Sequence, residues 1–323
     1  MPTISALIIT TALVALASAA PSRVKTQHTE LRDEYDFVIA GGGTAGLTVA
    51  DRLTEAFPDI EYGDVEVTPG FFDPPGSPPP ATQMNYSVPV PTLNNRTADL
   101  LIGMTVGGSS AVNGQFFDRA SRLDYDDWDY LAGEVSKDVN TRWNWDSLLP
   151  YFKKSVTFVE PDKAIAQALN LTWDYEAAYG GIIPRRECAA GNKDGLCWVP
   201  ASQHPWASVR SHSGQGHYRD VIEDRPNYDL LVRHKVTRVL YPDGDPAQGP
   251  PMVEVRSLRD GNVFTVRPIA EAILSAGAIH TPQILQRSGI GPQAFLRVPA
   301  SISSPIYLGL ATTFRITRQS DLA

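Results

Sequence analysis

The sequence predicts an α/β fold with a central parallel sheet and a smaller antiparallel β-meander. Residues 37–40 are a short apolar, β-branched run that enters a glycine-rich turn, and residues 47–57 continue in a helical pattern. A strand, a tight turn and a helix in this order are typical of a parallel α/β unit. Residues 252–258 and 262–267 alternate around Asp260-Gly261, which predicts an antiparallel hairpin.

The glycine-rich turn carries the strongest indication of function. Gly41, Gly43 and Gly46 form G-x-G-x-x-G between the predicted strand and helix. Their spacing allows a tight turn, a close approach of the backbone to a pyrophosphate, and packing of the helix on the strand. The helix N-terminus adds free N–H groups and a partial positive charge that attract phosphates. The motif therefore predicts dinucleotide binding, and an ordinary glycine-rich loop is the alternative.

The composition is that of a folded, mildly acidic protein. The 323 residues are 42% hydrophobic and 20% charged, which leaves room for about two domains and argues against wholesale disorder. With 28 basic and 36 acidic residues the net charge is −8, and we expect no nucleic-acid partner.

The N-terminus predicts export. Residues 7–16 are apolar and Ala17-Ser18-Ala19 is an A-x-A cleavage site, so we expect a signal peptide over residues 1–19 and a secreted protein. A buried N-terminal helix is the alternative. No later segment is apolar enough over a sufficient length to predict a membrane span, and we expect no membrane partner.

Three sequons and two cysteines agree with an oxidising compartment. The predicted glycosylation sites are Asn85, Asn95 and Asn170. Cys188 and Cys197 predict a small loop-closing disulfide, with two unpaired thiols as the alternative. No histidine lies near these cysteines at ligand spacing, so we expect no metal site.

The remaining elements follow from local composition. Residues 68–97 are rich in Pro and Asn and predict an extended loop, after a polar leader over residues 20–32. Residues 145–152 predict a short amphipathic helix, and residues 228–240 predict two short strands. Residues 271–276 predict a further apolar strand.

Two longer segments give the chain a family resemblance. Residues 107–116 read Gly-Gly-Ser-Ser-Ala-Val-Asn-Gly-Gln-Phe, and residues 277–291 read Gly-Ala-Ile-His-Thr-Pro-Gln-Ile-Leu-Gln-Arg-Ser-Gly-Ile-Gly. With the glycine-rich turn, they resemble the glucose–methanol–choline (GMC) oxidoreductases, FAD enzymes that take a hydride from an alcohol. The first segment departs from the family pattern at Met104, where Lys, Arg or Asn is more usual. The resemblance looks closest to secreted fungal members, some of which act in secondary metabolism.

The resemblance implies a domain organisation. Residues 33–296 would be a Rossmann-like FAD-binding region that includes parts of an incomplete substrate domain, and residues 297–323 would be a divergent tail. The strand at 271–276 would lie beside the strand at 37–40. The partner would be a small-molecule alcohol, and the sequence predicts no oligomeric state.

The resemblance also implies the cofactor contacts, residue by residue. The FAD pyrophosphate would contact Gly41, Gly43, Thr44, Ala45 and Gly46. The acid that binds the adenosine ribose would be Glu61, followed by Tyr62, although Glu61 also fits a solvated acid. The flavin would lie along Asn113, Gly114, Gln115 and Phe116, and the adenine would meet the backbone of Val236.

Two departures from the family limit this prediction. Only Pro58-Asp59-Ile60 separates Phe57 from Glu61, so the second strand of the Rossmann unit looks deleted, with residues 65–67 and the acid Glu66 as a substitute.

The second departure concerns the catalytic base. The family's base is a His near its C-terminus, and no histidine here matches it, neither those of residues 204–234 nor His280. Without the second strand we expect weak FAD binding, and without the base we expect no catalytic residue and little alcohol turnover. A flavin alcohol oxidase or dehydrogenase, a non-redox flavin-containing cyclase and an inactive fragment all stay open.

Overall fold

The structure is a computed structural model that describes residues 24–58, 62–65, 82–133, 142–155, 160, 162–168, 201–204, 210–244, 248–292 and 296. Several predicted features lie outside these residues: the signal peptide 1–19, Glu61, Asn170, Cys188, Cys197 and the tail 297–323.

The described residues form ten strands and five α-helices in a mixed order along the chain. The strands are β1 Val24–Lys25, β2 Tyr35–Ala40, β3 Tyr62–Val65, β4 Thr82–Tyr86, β5 Asp99–Gly103, β6 Tyr228–Leu231, β7 His234–Leu240, β8 Met252–Ser257, β9 Val263–Val266 and β10 Pro268–Leu274. The helices are α1 Thr44–Ala56, α2 Arg122–Ala132, α3 Trp145–Ser155, α4 Lys163–Ala168 and α5 Gly277–Arg287. The predicted helix at 145–152 and the predicted strands at 228–240 are confirmed by α3, β6 and β7.

The central sheet is parallel and has the strand order β1-β6-β3-β2-β10. Strand β10 pairs with β2, with Leu274 beside Ala40, so the predicted neighbourhood of the first and the late strand is confirmed. The predicted α/β fold with a parallel sheet and a β-meander is likewise confirmed, because β7, β8 and β9 form a separate antiparallel sheet.

The prediction that the second strand is deleted is wrong. Strand β3 occupies that place, pairing with β2 through Phe37 opposite Tyr62 and with β6 on its other side. It is only four residues long and contains Gly63 and Asp64, which are poor strand formers. The backbone hydrogen bonds to β2 and β6 stabilise β3 although its sequence has low strand propensity.

Two shorter segments also differ from the sequence-based expectations. Strand β4 lies within the Pro- and Asn-rich stretch predicted as loop, and it pairs with β5 in a two-stranded antiparallel sheet. Strand β1 lies within the polar leader and pairs with β6 at the edge of the central sheet. Both are peripheral strands, where a hydrophobic pattern is least required.

The core lies on both faces of the central sheet. In β2, Ile39 packs with Leu47 and Ala50 of α1, whereas Val38 packs with Val253 and other residues of the meander on the opposite face. Alternate side chains of a strand point to opposite faces, so β2 is covered on both sides. This arrangement leaves the carboxyl end of β2, where the glycine-rich turn begins, at an edge of the layers.

A buried carboxylate ties the N-terminal segment to the sheet. Asp229 of β6 is 2% exposed and accepts hydrogen bonds from Arg32 Nε at 3.0 Å and from the Tyr35 hydroxyl at 3.2 Å. Lys25 Nζ lies 3.8 Å from the other carboxylate oxygen. Burial, and then the charge of Asp229, raise the pKa of Tyr35 far above its ordinary value. Residues 24–35 are therefore part of the fold.

A second buried carboxylate ties α1 to the chain before β6. Asp51 Oδ2 lies 2.8 Å from His217 Nδ1, and Asp51 Oδ1 lies 3.7 Å from Arg225 Nη2. His217 belongs to a π-helical turn, Gln215–Arg219, which packs against α1. Such turns are rare and often mark functional regions.

The aromatic residues of α2 and α3 form a separate cluster. Trp145 is 1% exposed and lies against Tyr125 and Phe152 with ring centroids 5.8 Å apart in both pairs. Trp145 therefore serves the packing of α3 on α2. None of the helices in the described residues is long and apolar enough to cross a membrane.

Candidate functional site

The glycine-rich turn joins β2 to α1 at the carboxyl edge of the parallel sheet. Gly41 has φ +121°, and a Cβ there would lie 2.6 Å from the Ser275 carbonyl oxygen, so only glycine fits. Gly43 is the N-cap of α1 and provides no side-chain cap for the first turn of the helix. Thr44 and Ala45 are exposed. The first N–H groups of α1 are thus presented at an open edge, which is the arrangement that binds phosphates.

A second signature segment lies directly against this turn. Gly107 donates its N–H to the Gly42 carbonyl at 2.9 Å, and the Thr44 hydroxyl donates to the Gly107 carbonyl at 3.4 Å. A Cβ on Gly108 would lie 2.8 Å from Gly43 Cα. The structure therefore brings the turn at 41–46 and the loop at 107–111 together, although about sixty residues separate them in sequence.

The four predicted flavin contacts follow that loop. Asn113 and Gly114 are exposed, and Phe116 is 73% exposed. Gln115 has φ +67°, and its carbonyl accepts a hydrogen bond from Ser202 N–H at 2.8 Å. The loop thus presents Asn113, Gly114 and Phe116 to solvent, whereas Gln115 is half-buried.

One residue of this region was missed by sequence analysis. Arg210 donates from Nη1 to Asn113 Oδ1 at 2.7 Å and from Nη2 to the Asn113 carbonyl at 2.6 Å. No spacing rule connects positions 97 residues apart, so the sequence carried no local signal for this contact.

The predicted adenosine contacts are placed differently. Val236 lies in β7, pairs with Val255 of β8 and is 2% exposed as a whole residue, so the predicted contact of its backbone with the adenine still rests on the family resemblance. Glu61 lies outside the described residues, and the backbone of Tyr62 pairs with Phe37 at the beginning of β3. The carboxyl end of β3, Val65, lies beside Ala40, and Glu66 is next in sequence. Glu66 is therefore the acid that follows β3 in sequence, whereas Glu61 precedes the strand.

Two histidines near the site are held neutral. Burial, and then the charge of Lys235, lower the pKa of His280 to about 4. Burial, and then Arg219 and Arg210, lower the pKa of His212, whose Nδ1 would lie 2.7 Å from a Cβ on Gly107. His212 therefore packs against the loop backbone as a neutral ring.

The depressed pKa of His280 predicts a pH-dependent stability. The folded pKa is about 4 and the ordinary value is 6.5, so between these values the unfolded chain binds a proton that the folded chain does not. The contribution is complete above pH 6.5 and is lost as the pH falls towards 4, on the order of 2 kcal/mol for a partly exposed ring.

The measurement is the free energy of unfolding from pH 7 to pH 4, for the natural chain and for His280→Gln. As the pH falls from 7 to 4, the natural chain is expected to lose more free energy of unfolding than His280→Gln. A constant difference would contradict the lowered pKa, because glutamine does not titrate there.

These elements define a class. A parallel sheet whose strand β2 leads through a glycine-rich turn into an open helix N-terminus is a Rossmann-like nucleotide-binding domain. The family model of the GMC oxidoreductases matches residues 35–306, and the chain belongs to this family. The match extends ten residues into the segment predicted as a divergent tail.

The chain is similar to curated fungal proteins. The chain is 35% identical to Dehydrogenase xptC of Emericella nidulans, over 92% of this chain and 51% of the relative. It is 30% identical to Versicolorin B synthase of Aspergillus parasiticus, over 81% of this chain and 46% of the relative. The chain thus spans about half the length of the curated relatives it matches.

Solved structures give the same result. A fungal aryl-alcohol oxidase superposes with a TM-score of 0.74 at 50% identity, over 82% of this chain and 49% of the other. An FAD-dependent oxidoreductase from Chaetomium thermophilum superposes with a TM-score of 0.65 at 33% identity, over 80% of this chain and 48% of the other.

Proposed function

We propose that this chain binds FAD and forms the cofactor-binding part of a GMC alcohol oxidoreductase. The observation that carries the proposal is the open N-terminus of α1 at Gly43. A Cβ on Gly43 would meet only Gly108 Cα, at 3.8 Å, so the fold itself leaves room there for a side chain. A glycine that packing does not require fits a backbone that must approach a pyrophosphate closely.

The remaining contacts are proposed from the same geometry. The N–H groups of residues 43–46 would hold the pyrophosphate, and the backbone of Val236 would meet the adenine. Asn113, Gly114, Gln115 and Phe116 would lie along the flavin, and Glu66 or Glu61 would bind the ribose. Because β3 is present beside β2, the reason for expecting weak FAD binding no longer holds.

Bound FAD supplies the acceptor for a hydride removed from an alcohol. The side chains proposed to lie along the flavin, Asn113, Gln115 and Phe116, do not exchange protons near neutral pH, so their part would be to position the reactants. The proton acceptor is therefore a group other than these. The likeness to an aryl-alcohol oxidase favours a small aromatic alcohol as substrate, and the likeness to fungal dehydrogenases favours a place in secondary metabolism.

A second function stays open because of one relative. Versicolorin B synthase is named as a synthase and not as an oxidase or dehydrogenase, and this likeness keeps open the alternative of a non-redox flavin-containing cyclase. In that case FAD would bind with the same contacts but no alcohol would reduce it.

The test uses the full chain recovered from a secreting host. FAD is added, its visible spectrum and fluorescence are recorded, and benzyl alcohol is then added without oxygen. We expect FAD to bind and bleaching to be far slower than an ordinary enzymatic rate of about 10 s⁻¹. A chain that leaves the spectrum of free FAD unchanged contradicts the proposed function. Bleaching at an ordinary rate would show that the proton acceptor is within this chain.

We further propose that the protein is secreted, with the signal 1–19 removed. The exposure of Asn95 supports its glycosylation. Asn95 lies in a turn in which its N–H donates to the Val90 carbonyl at 3.0 Å. Asn85, Asn170 and a Cys188–Cys197 disulfide remain predictions. The intact mass of the recovered protein tests signal cleavage, glycosylation and the disulfide. An uncleaved, unglycosylated chain with two free thiols would contradict export.

A further inference from the structure

Arg210 lies outside every segment that resembles a family signature, yet it contacts the loop proposed to face the flavin. Its Nη1 donates to Asn113 Oδ1 at 2.7 Å and to the Ser110 carbonyl at 3.3 Å. Its Nη2 donates to the Asn113 carbonyl at 2.6 Å. A guanidinium presents its donors in a rigid planar fork, so these three oxygens are held at fixed positions.

The same contacts fix the orientation of the Asn113 amide. Asn113 Oδ1 accepts from Arg210 and also from the Gln115 N–H at 3.0 Å. Both partners are donors only, so the oxygen must face them and the Nδ2 group must face away. The two N–H bonds of Nδ2 are then the part of Asn113 that can donate to a ligand.

The segment that carries Arg210 holds both ends of the loop. At the near end, the Ser213 hydroxyl donates to the Gly107 carbonyl at 3.2 Å, and Ser213 N–H donates to Ser110 Oγ at 3.2 Å. At the far end, Arg210 holds Asn113. Residues 210–213 therefore set the path of the backbone from Gly107 to Asn113.

The next residues of the loop are fixed by a neighbouring segment. Gln203 Nε2 donates to Gln115 Oε1 at 3.0 Å, and residue 203 forms a bridge with Arg210. Gln115 has φ +67°, a backbone conformation that residues other than glycine seldom adopt without support. The conformation of Gln115 thus depends on Gln203, which is paired with Arg210.

We infer that Arg210 is a positioning residue for the flavin: it fixes the path of the loop at 107–113 and orients Asn113 so that its Nδ2 group donates to the isoalloxazine ring. This inference rests on the proposed function. Arg210 acts through Asn113 and does not itself touch the cofactor.

The experiment compares Arg210→Gln and Arg210→Lys with the control Arg219→Gln in the full chain. Arg219 lies on the same segment, is 64% exposed and pairs with its neighbour Asp220. Amide hydrogen exchange of residues 107–116 is measured without FAD. We expect faster exchange in Arg210→Gln, an intermediate rate in Arg210→Lys, which keeps the charge without the fork, and no change in Arg219→Gln. Equal exchange in all four proteins overturns the inference.

The second measurement is the Kd for FAD, followed by the spectrum of the saturated complex. For Arg210→Gln we expect the Kd to rise about threefold to tenfold, the range for losing a hydrogen bond between the neutral Asn113 amide and the flavin. Asn113→Asp separates positioning from folding, because the carboxylate still accepts from Arg210 but lacks the Nδ2 donors. We expect Asn113→Asp to keep the exchange protection and yet to weaken FAD binding and shift the flavin absorption bands.

The outcomes are distinct. Natural FAD affinity and an unchanged spectrum in Asn113→Asp overturn the role of the Asn113 amide. Natural FAD affinity in an Arg210→Gln protein with a faster-exchanging loop overturns the positioning role. A natural chain that binds no FAD contradicts the proposed function, and the exchange measurement alone then decides whether Arg210 holds the loop. If Arg210→Gln does not fold, Arg210→Lys carries both measurements.

Discussion

Replacing Gly46 by alanine is expected to cost the fold more than about 3 kcal/mol, the upper range for ordinary overpacking. Gly46 is buried in the first turn of α1, and a Cβ there would overlap the Gly41 carbonyl oxygen and lie 2.8 Å from Ser275 Oγ. Both neighbours are fixed. Gly41 directly follows Ala40, the last residue of β2, and the Ser275 N–H donates to the Ala40 carbonyl at 2.9 Å. Because the obstacle is backbone, no change of side-chain rotamer can relieve it.

Helix propensity alone predicts the opposite sign. Alanine stabilises a helix interior by about 1 kcal/mol relative to glycine. A matched control is Gly216→Ala in the π-helical turn Gln215–Arg219, where a Cβ would meet nothing within 4 Å. We expect Gly216→Ala to change the free energy of unfolding by no more than about 1 kcal/mol, in the stabilising direction. Urea unfolding measures both, and a Gly46→Ala chain as stable as the natural one would contradict this packing of α1 on β2.

The parts of the fold that could be predicted are those whose signals are local. Residues 37–40 and 271–276 are apolar runs beside glycine turns, and the hairpin around Asp260-Gly261 alternates regularly. Strand β3 could not be predicted, because Tyr-Gly-Asp-Val has neither an apolar run nor high strand propensity. Its conformation is imposed by pairing with β2 on one side and β6 on the other side in the sheet.

The site divides in the same way. The turn at 41–46 could be predicted because a helix N-terminus and its glycines are neighbours in sequence. The contact of Arg210 with Asn113 could not, because the fold alone brings the two together. The same holds for β3. The pairing of Val65 with Ala40 places the carboxyl end of β3 near Gly41, and this pairing could not be predicted from the spacing of residues in the sequence.

Replacing Gly43 by alanine is expected to weaken FAD binding by at least about a hundredfold without a change in stability. The backbone at Gly43 has φ −88° and ψ −164°, which alanine adopts without strain, and the added Cβ would make only an ordinary contact with Gly108 Cα at 3.8 Å. In the complex the same methyl group would stand between the N-terminus of α1 and the pyrophosphate. Losing two hydrogen bonds to a charged phosphate costs at least about 3 kcal/mol, which is at least about a hundredfold in Kd.

The three glycine variants therefore separate the roles of the motif. Gly46→Ala loses stability and, with it, FAD binding; Gly43→Ala loses FAD binding alone; and Gly216→Ala loses neither. The measurements are urea unfolding without FAD and titration of FAD by fluorescence. If Gly43→Ala binds FAD as tightly as the natural chain, the pyrophosphate does not bind at this turn. If Gly43→Ala is destabilised, packing and not the ligand requires the glycine. Because alanine at position 43 fits the protein alone, loss of binding in a stable variant would be an effect on the bound phosphate itself.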